Sequence, residues 1–190
     1  MSDWAKQGAT AVIGDLKGNG GGYLRSATDM LDRFLDEGLG IVYTEGKASP
    51  RIDYNSTYDG EYSSWPIAVL IDENSASASE IFAGALQDND RGLIVGRRSF
   101  GKGLVQEEFS VPNALSGAGA LRLTVARFYT PSGRAIQKPY GEGVNYANDY
   151  QDRIASGELF LEDSIKLADT FVYRTLLGRK VYGGGGITPD

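Results

Sequence analysis

Short apolar runs that end at a glycine or polar turn and hand over to helical spacing recur along this 190-residue chain, and that alternation constrains its fold more than any other feature. Thr10 to Leu16 reads as a buried strand, closed by Gly18-Asn19-Gly20-Gly21-Gly22. Tyr23 to Glu37 then carries Leu24, Ala27, Met30, Leu31, Phe34 and Leu35 on one helical face, with Gly38 as a stop. Ile41 to Glu45 and, after Pro66, Ile67 to Asp72 are further strands, with polar surface strand and loop between them. A helix over Ser77 to Gln87 turns Ile81, Phe82, Ala85 and Leu86 inward, and Gly92 to Gly96 is another short buried strand. Leu121 to Tyr129 alternates as a strand with one wet face. The expected class is a layered α/β domain over 1–190. Lys138 to Asp163 breaks the pattern as a polar, tyrosine-rich insertion, and Ser164 to Leu177 reads as an amphipathic helix.

Composition removes several chemistries. The chain has no histidine, which excludes a Ser-His-Asp mechanism. It has no cysteine, which excludes a thiolate nucleophile and a disulfide framework. Together the two absences argue against zinc, and no metal or organic cofactor is expected. A net charge of −6, from 19 basic and 25 acidic residues, argues against nucleic acid as the main partner. No run reaches the roughly 18 apolar residues of a membrane span. No signal peptide is visible at Met1-Ser2-Asp3-Trp4, and a core strand starts by Thr10, as expected of a core cut from a longer protein.

Four places carry potential chemistry. Ser77 lies between a strand and a helix, flanked by alanines, where helix N-terminal amides can stabilise a developing oxyanion. The same spacing, with Glu80 three residues on, fits a plain capping box, and Ser75 and Ser79 compete for either role. Without histidine, a serine nucleophile needs another base, and lysine serves when burial brings its pKa down. Lys102, between Gly101 and Gly103, is a candidate, with Gln106 in reach to direct the amine; a solvated loop lysine is the plainer reading. The Gly18–Gly22 loop is a tight turn, an anion cradle or an oxyanion donor, but matches neither the Walker nor the Rossmann spacing. Asp15 could orient that loop, and Asp88 lies one turn past the apolar helix face; a structural role fits both.

In order along the chain, Asp15-Leu16-Lys17-Gly18-Asn19-Gly20-Gly21-Gly22, Ser75 to Glu80, Phe100 to Gln106, Tyr129-Thr130-Pro131-Ser132-Gly133-Arg134 and Gly186-Ile187-Thr188-Pro189-Asp190 resemble five elements of the carboxyl-terminal processing proteases, family S41. The resemblance implies a core similar to crotonase and ClpP and a Ser/Lys dyad of Ser77 and Lys102, with Gln106 steadying the lysine. It implies oxyanion donors from the backbone of Ala78 and of Gly21 or Gly22, and matches Asp88 to an acidic position after the nucleophile helix. It implies a polypeptide substrate, cleavage near carboxyl termini, and export to the bacterial cell envelope. It leaves a homo-oligomer open. Family members carry a PDZ domain and an N-terminal helical part ahead of this core, neither of which is in the sequence. Two other readings stand beside it: a crotonase-like thioester enzyme using glycine-loop amides alone, and a non-catalytic peptide-binding relative.

Overall fold

Three of the short apolar runs pair in parallel. In the computed structural model, which describes residues 1–113, 117–139, 148–161, 165 and 172–190, they are β1 (Val12–Asp15), β4 (Ile67–Ile71) and β5 (Leu93–Gly96), in the order β1-β4-β5. Val12 lies opposite Ile67, and Ala68 opposite Leu93. Parallel neighbours need crossovers. Between β1 and β4 the chain runs through α2 (Leu24–Leu31), β2 (Gly40–Glu45) and β3 (Ile52–Asn55); between β4 and β5 it runs through α3 (Ala78–Asp88). β2 and β3 join the long hairpin β6 (Leu104–Asn113) and β7 (Gly117–Tyr129) in an antiparallel sheet of order β3-β2-β7-β6. A short helix α1 (Ser2–Lys6) precedes β1, α4 (Asp149–Ala155) follows β7, and β8 (Val172–Arg174) pairs with β9 (Lys180–Tyr182).

α3 is the centre of the core. Every residue from Ser79 to Asp88 is buried, the pattern of a helix surrounded by packed elements rather than lying on a surface. Leu31, Leu35, Ile41, Val69, Ile71, Leu86, Ile94, Ile136 and Ile187 complete a single apolar cluster around it. The far end of α3 is pinned by charge: Asp88 accepts from Arg134 at 2.7 Å, both side chains being fully buried, and from the Ser132 N–H at 3.0 Å.

β1, β4 and β5 fall where the apolar runs place them, but β1 and β5 are not buried strands as expected: each lies at an edge of the three-stranded sheet with Ile13, Leu93 and Val95 exposed. The helices also differ in detail. α2 ends at Leu31 rather than Glu37: the N–H groups of Arg33 and Phe34 bond three residues back, to Met30 and Leu31, and the bond that Glu37 N–H would make to Arg33 O is replaced by Asp59 on the amide and Tyr62 N–H on the carbonyl. Phe34 and Leu35 remain buried without helical backbone. The helix expected over Ser164 to Leu177 is corrected at its end, since Val172–Arg174 is a strand held against Lys180–Tyr182. Val172 and Tyr173 are strand-favouring residues, and Gly178 (φ +89°) supports the turn that returns them. Half of that predicted helix, residues 164 and 166–171, and the insertion's residues 140–147 and 162–163, lie outside the described residues. β6 has no counterpart among the expected strands, because the polar run Gln106-Glu107-Glu108 interrupts its apolar pattern.

Removing one partner of a fully buried ion pair leaves the other charge uncompensated. Asp88→Ala is therefore expected to cost about 3–5 kcal/mol of unfolding free energy, read from the urea midpoint.

Candidate active site

Two turns that leave the parallel sheet at the same edge build the site. After β4, Asp72 Oδ1 accepts from the N–H groups of Asn74 (3.0 Å) and Ser75 (3.1 Å), closing the turn, and from Gly18 N–H (2.9 Å) in the glycine loop after β1. Burial raises the Asp72 carboxyl, but the Gly18, Asn74 and Ser75 donors outweigh it and hold it below its usual value. Ser75 Oγ donates to Leu16 O at 2.7 Å, and the Asn19 carbonyl accepts from Ala76 N–H and Ser79 Oγ, each at 3.0 Å. The glycine loop and the serine turn are thus one stitched unit.

Ser77 stands at the junction of that unit with α3, half-buried, in a backbone conformation non-glycine residues rarely adopt (φ 57°, ψ −116°). Gly21 (φ +96°) lies directly against it: a Cβ there would sit 2.5 Å from Ala76 O, 2.7 Å from Ala78 N and 2.8 Å from Ser77 Cβ. A Cβ at Gly22 would meet nothing within 4 Å. Gly21 N–H is committed to Asn19 Oδ1 at 2.9 Å. Ala78 N–H is the first amide of α3, a position with no partner inside its own helix.

Glu80 couples this serine to the lysine. Its carboxylate is completely buried and accepts four donors. Oε2 takes Ser77 N–H (2.8 Å) and Lys102 N–H (2.9 Å); Oε1 takes Ser99 Oγ (2.5 Å) and Gly101 N–H (2.7 Å). Because one oxygen serves both, the backbone nitrogens of Ser77 and Lys102 are no farther apart than the sum of those two distances, 5.7 Å. Burial pushes the Glu80 carboxyl above its ordinary value, against the pull of Ser99, Lys102, Gly101 and Ser77.

Ser77, Ala78, Gly22, Lys102 and Gln106 line one cleft of about 1050 Å3, between α2, α3 and the β6–β7 hairpin. Its walls mix Leu24, Ile81 and Phe128 with an exposed Glu108–Arg122 ion pair at 3.1 Å. Lys102 is half-buried; Gln106 is exposed on β6, paired across to Thr124 beside a break in register. Asp15 lies apart, on the surface, accepting from Lys17 N–H at 3.0 Å; the bond to the glycine loop belongs to Asp72. Asp88 is eleven residues from Ser77, about 16 Å along the helix at 1.5 Å per residue, and holds the Thr130–Arg134 turn instead. Asp72 and Asn19 are site residues that motif spacing does not single out. Their signals are the Asp-x-x-Ser turn after a strand and an asparagine within the glycine run.

A model of peptidase family S41 matches residues 1–146. The carboxyl-terminal-processing protease of Picosynechococcus sp. is 41% identical over 138 residues, 73% of this chain and 32% of that protein. The carboxy-terminal-processing protease of Bartonella bacilliformis is 48% identical over 124 residues, 65% of this chain and 27% of that protein. A solved photosystem II D1 C-terminal processing protease superposes with a TM-score of 0.62 at 37% identity, covering 72% of this chain and 34% of that one. The chain belongs to peptidase family S41. It spans about a third of the length of these relatives.

Gly21→Ala forces a Cβ into backbone atoms and a disfavoured φ, and is expected to cost about 1–3 kcal/mol, whereas Gly22→Ala meets open space; thermal denaturation of the two variants distinguishes them. Glu80 carries a pH signature. A carboxyl raised on folding favours the folded state fully below the ordinary glutamate value, and that contribution is lost as pH rises through the raised one. Glu80→Gln should therefore flatten the fall in the urea midpoint as pH rises above the ordinary glutamate value. An unchanged slope contradicts it.

Proposed function

We propose that this chain is the catalytic core of a serine endopeptidase that cuts polypeptides near their carboxyl ends through a Ser77/Lys102 dyad, on a layered α/β core similar to crotonase and ClpP. The observation that carries the reading is the single Glu80 oxygen that accepts both Ser77 N–H and Lys102 N–H, with both side chains lining one cleft. A binding module has no need of a nucleophile turn clamped to a lysine loop.

The reaction runs in two halves. Ser77 Oγ attacks the scissile carbonyl while its proton passes to Lys102 Nζ, which enters the step as the free amine. The oxyanion of the tetrahedral intermediate is received by Ala78 N–H and by the glycine loop. Gly22 is the better donor there, because Gly21 N–H is already bonded to Asn19. Such donors contribute roughly 3–4 kcal/mol each in comparable sites. Collapse breaks the C–N bond, and Lys102 returns the proton to the leaving amine. The ester on Ser77 is then attacked by water, whose proton Lys102 takes and hands back to Ser77 Oγ. Gln106 directs the amine toward the serine. Asp15 and Asp88 act outside the cleft, as loop and helix supports. No metal or organic cofactor takes part in these steps. Among the described residues, no helix is long and apolar enough to cross a membrane. The family resemblance implies work in the bacterial cell envelope; a related C-terminal processing peptidase of Tetradesmus obliquus is chloroplastic.

The test is cleavage of casein and of an unstructured peptide by the full-length protein carrying this chain. Ser77→Ala and Lys102→Ala are expected to lower kcat at least 1,000-fold, an order of magnitude taken from nucleophile and base removal in other serine peptidases. Gln106→Ala lowers kcat about tenfold, as loss of an orienting hydrogen bond does, with KM unchanged. Equal rates in all variants, or turnover of an acyl thioester that survives both alanine substitutions, reject the dyad.

A further inference from the structure

The loop that carries Lys102 is gripped from two sides by opposite charges. From the core, Glu80 accepts its amides at Gly101 and Lys102. From the other side, Arg153 of α4 donates to its carbonyls: Nη2 to Arg98 O at 2.5 Å and Nη1 to Ser99 O at 3.2 Å. Arg153 is itself seated by Glu158, whose Oε1 accepts Arg153 Nε at 2.8 Å. Glu158 also receives Arg98 as a fork, Nε to Oε1 at 2.7 Å and Nη2 to Oε2 at 2.8 Å. All three side chains are buried. Lys138, also buried, extends the clamp: its N–H donates to Gly101 O at 2.9 Å, its ammonium pairs with Asp149 at the start of α4 at 2.9 Å, and it lies 3.8 Å over the Phe100 ring. Burying two guanidiniums around one carboxylate is costly and weak evidence for stability alone. The family match ends at residue 146, so it covers Arg98 and Lys138 but not Asp149, Arg153 or Glu158, which hold them.

We propose that Arg153, held by Glu158, is a positioning residue for Lys102. It fixes the path of residues 98–99 and so sets where the amine arrives beside Ser77. This inference rests on Lys102 being the base. A guanidinium suits the task because its planar fork can hold two carbonyls and a carboxylate at once, which a lysine ammonium on a flexible stem does not. A base displaced by about 1 Å can cost on the order of 100-fold in rate. The segment that the sequence presents as an insertion thus carries part of the site's rigidity.

The test compares Arg153→Lys and Glu158→Gln with Arg91→Lys in the full-length protein. Arg91 is a control of similar chemistry, donating to the carbonyls of Phe34, Tyr62 and Trp65 away from the cleft. Two readouts are taken: the split of peptide cleavage into kcat and KM, and the pH dependence of Lys102 acylation by acetic anhydride, measured by mass spectrometry against exposed Lys47. The expected result is that Arg153→Lys lowers kcat roughly 10–100-fold with KM unchanged and shifts the Lys102 acylation profile, while Arg91→Lys moves neither. Should Arg153→Lys fail to fold by circular dichroism, Glu158→Gln carries the same expectation. A folded variant with unaltered kcat and acylation profile overturns the proposal, as does a loss of kcat with the profile unchanged. If the unsubstituted protein cleaves no peptide, the dyad reading fails, and the acylation profiles still decide whether Arg153 sets the lysine's surroundings.

Discussion

One buried carboxylate decides whether this fold has a site at all. The serine turn and the lysine loop approach each other with amides foremost: Ser77, Gly101 and Lys102 each present an N–H, and Ser99 adds a hydroxyl. No backbone carbonyl can serve four donors, but two carboxylate oxygens have the lone pairs to do so. Without Glu80, four buried donors would converge on nothing, and the turns would separate to reach water. Its desolvation is the cost of keeping two segments of the chain, more than twenty residues apart, in contact.

The conformation of Ser77 follows from the same bond. A positive φ in a residue with a side chain costs about 1–3 kcal/mol and persists only when neighbours over-determine it. Here Glu80 holds the Ser77 amide on one side, and the Asn19 carbonyl holds the Ala76 amide on the other. Gly21 packs against the bend where no Cβ fits. The alanines flanking Ser77 and the glycine facing it are therefore steric requirements of one bend, not a loose preference for small residues.

The parallel strands and α3 are legible from apolar runs of strand length and apolar positions at helical spacing, a pattern that marks the element type even where, as in β1 and β5, one side stays exposed. The end of α2 is not, because Tyr62 N–H takes the Arg33 carbonyl and Asp59 takes the Glu37 amide that would have closed its last turn, contacts with no local signature. Val172–Arg174 misleads because alternation in three residues cannot be told from a helical stripe when the partner strand lies beyond a turn. At the site, capping box and nucleophile turn stand as rival readings of Ser77 while only spacing is known. They are not rivals: the carboxylate that caps α3 is the one that holds the lysine loop. Local spacing carries the first half of that statement, and only the fold carries the second. Arg153 and Glu158 are invisible for the same reason, since their partners, Arg98 and Ser99, are more than fifty residues away.

The motifs that lie outside the cleft fix both ends of the helix that the cleft depends on. The Thr130–Arg134 turn locks the last residue of α3 through Ser132 N–H and Arg134 on Asp88. The closing Ile187–Asp190 segment takes Gln87 with Thr188 O and Asp190, while Ile187 N–H donates to Ser99 Oγ at 2.6 Å. That hydroxyl donates in turn to Glu80. A continuous line of hydrogen bonds therefore runs from the C-terminal segment through Ser99 to the carboxylate between serine and lysine. Since α3 is buried along nearly its whole length, it has no soft direction in which to slide. For the proposed Ser77/Lys102 dyad, in which a proton crosses from hydroxyl to amine, anchoring α3 at its distant end holds the serine turn in place, and this ties the elements far from the cleft to those that line it.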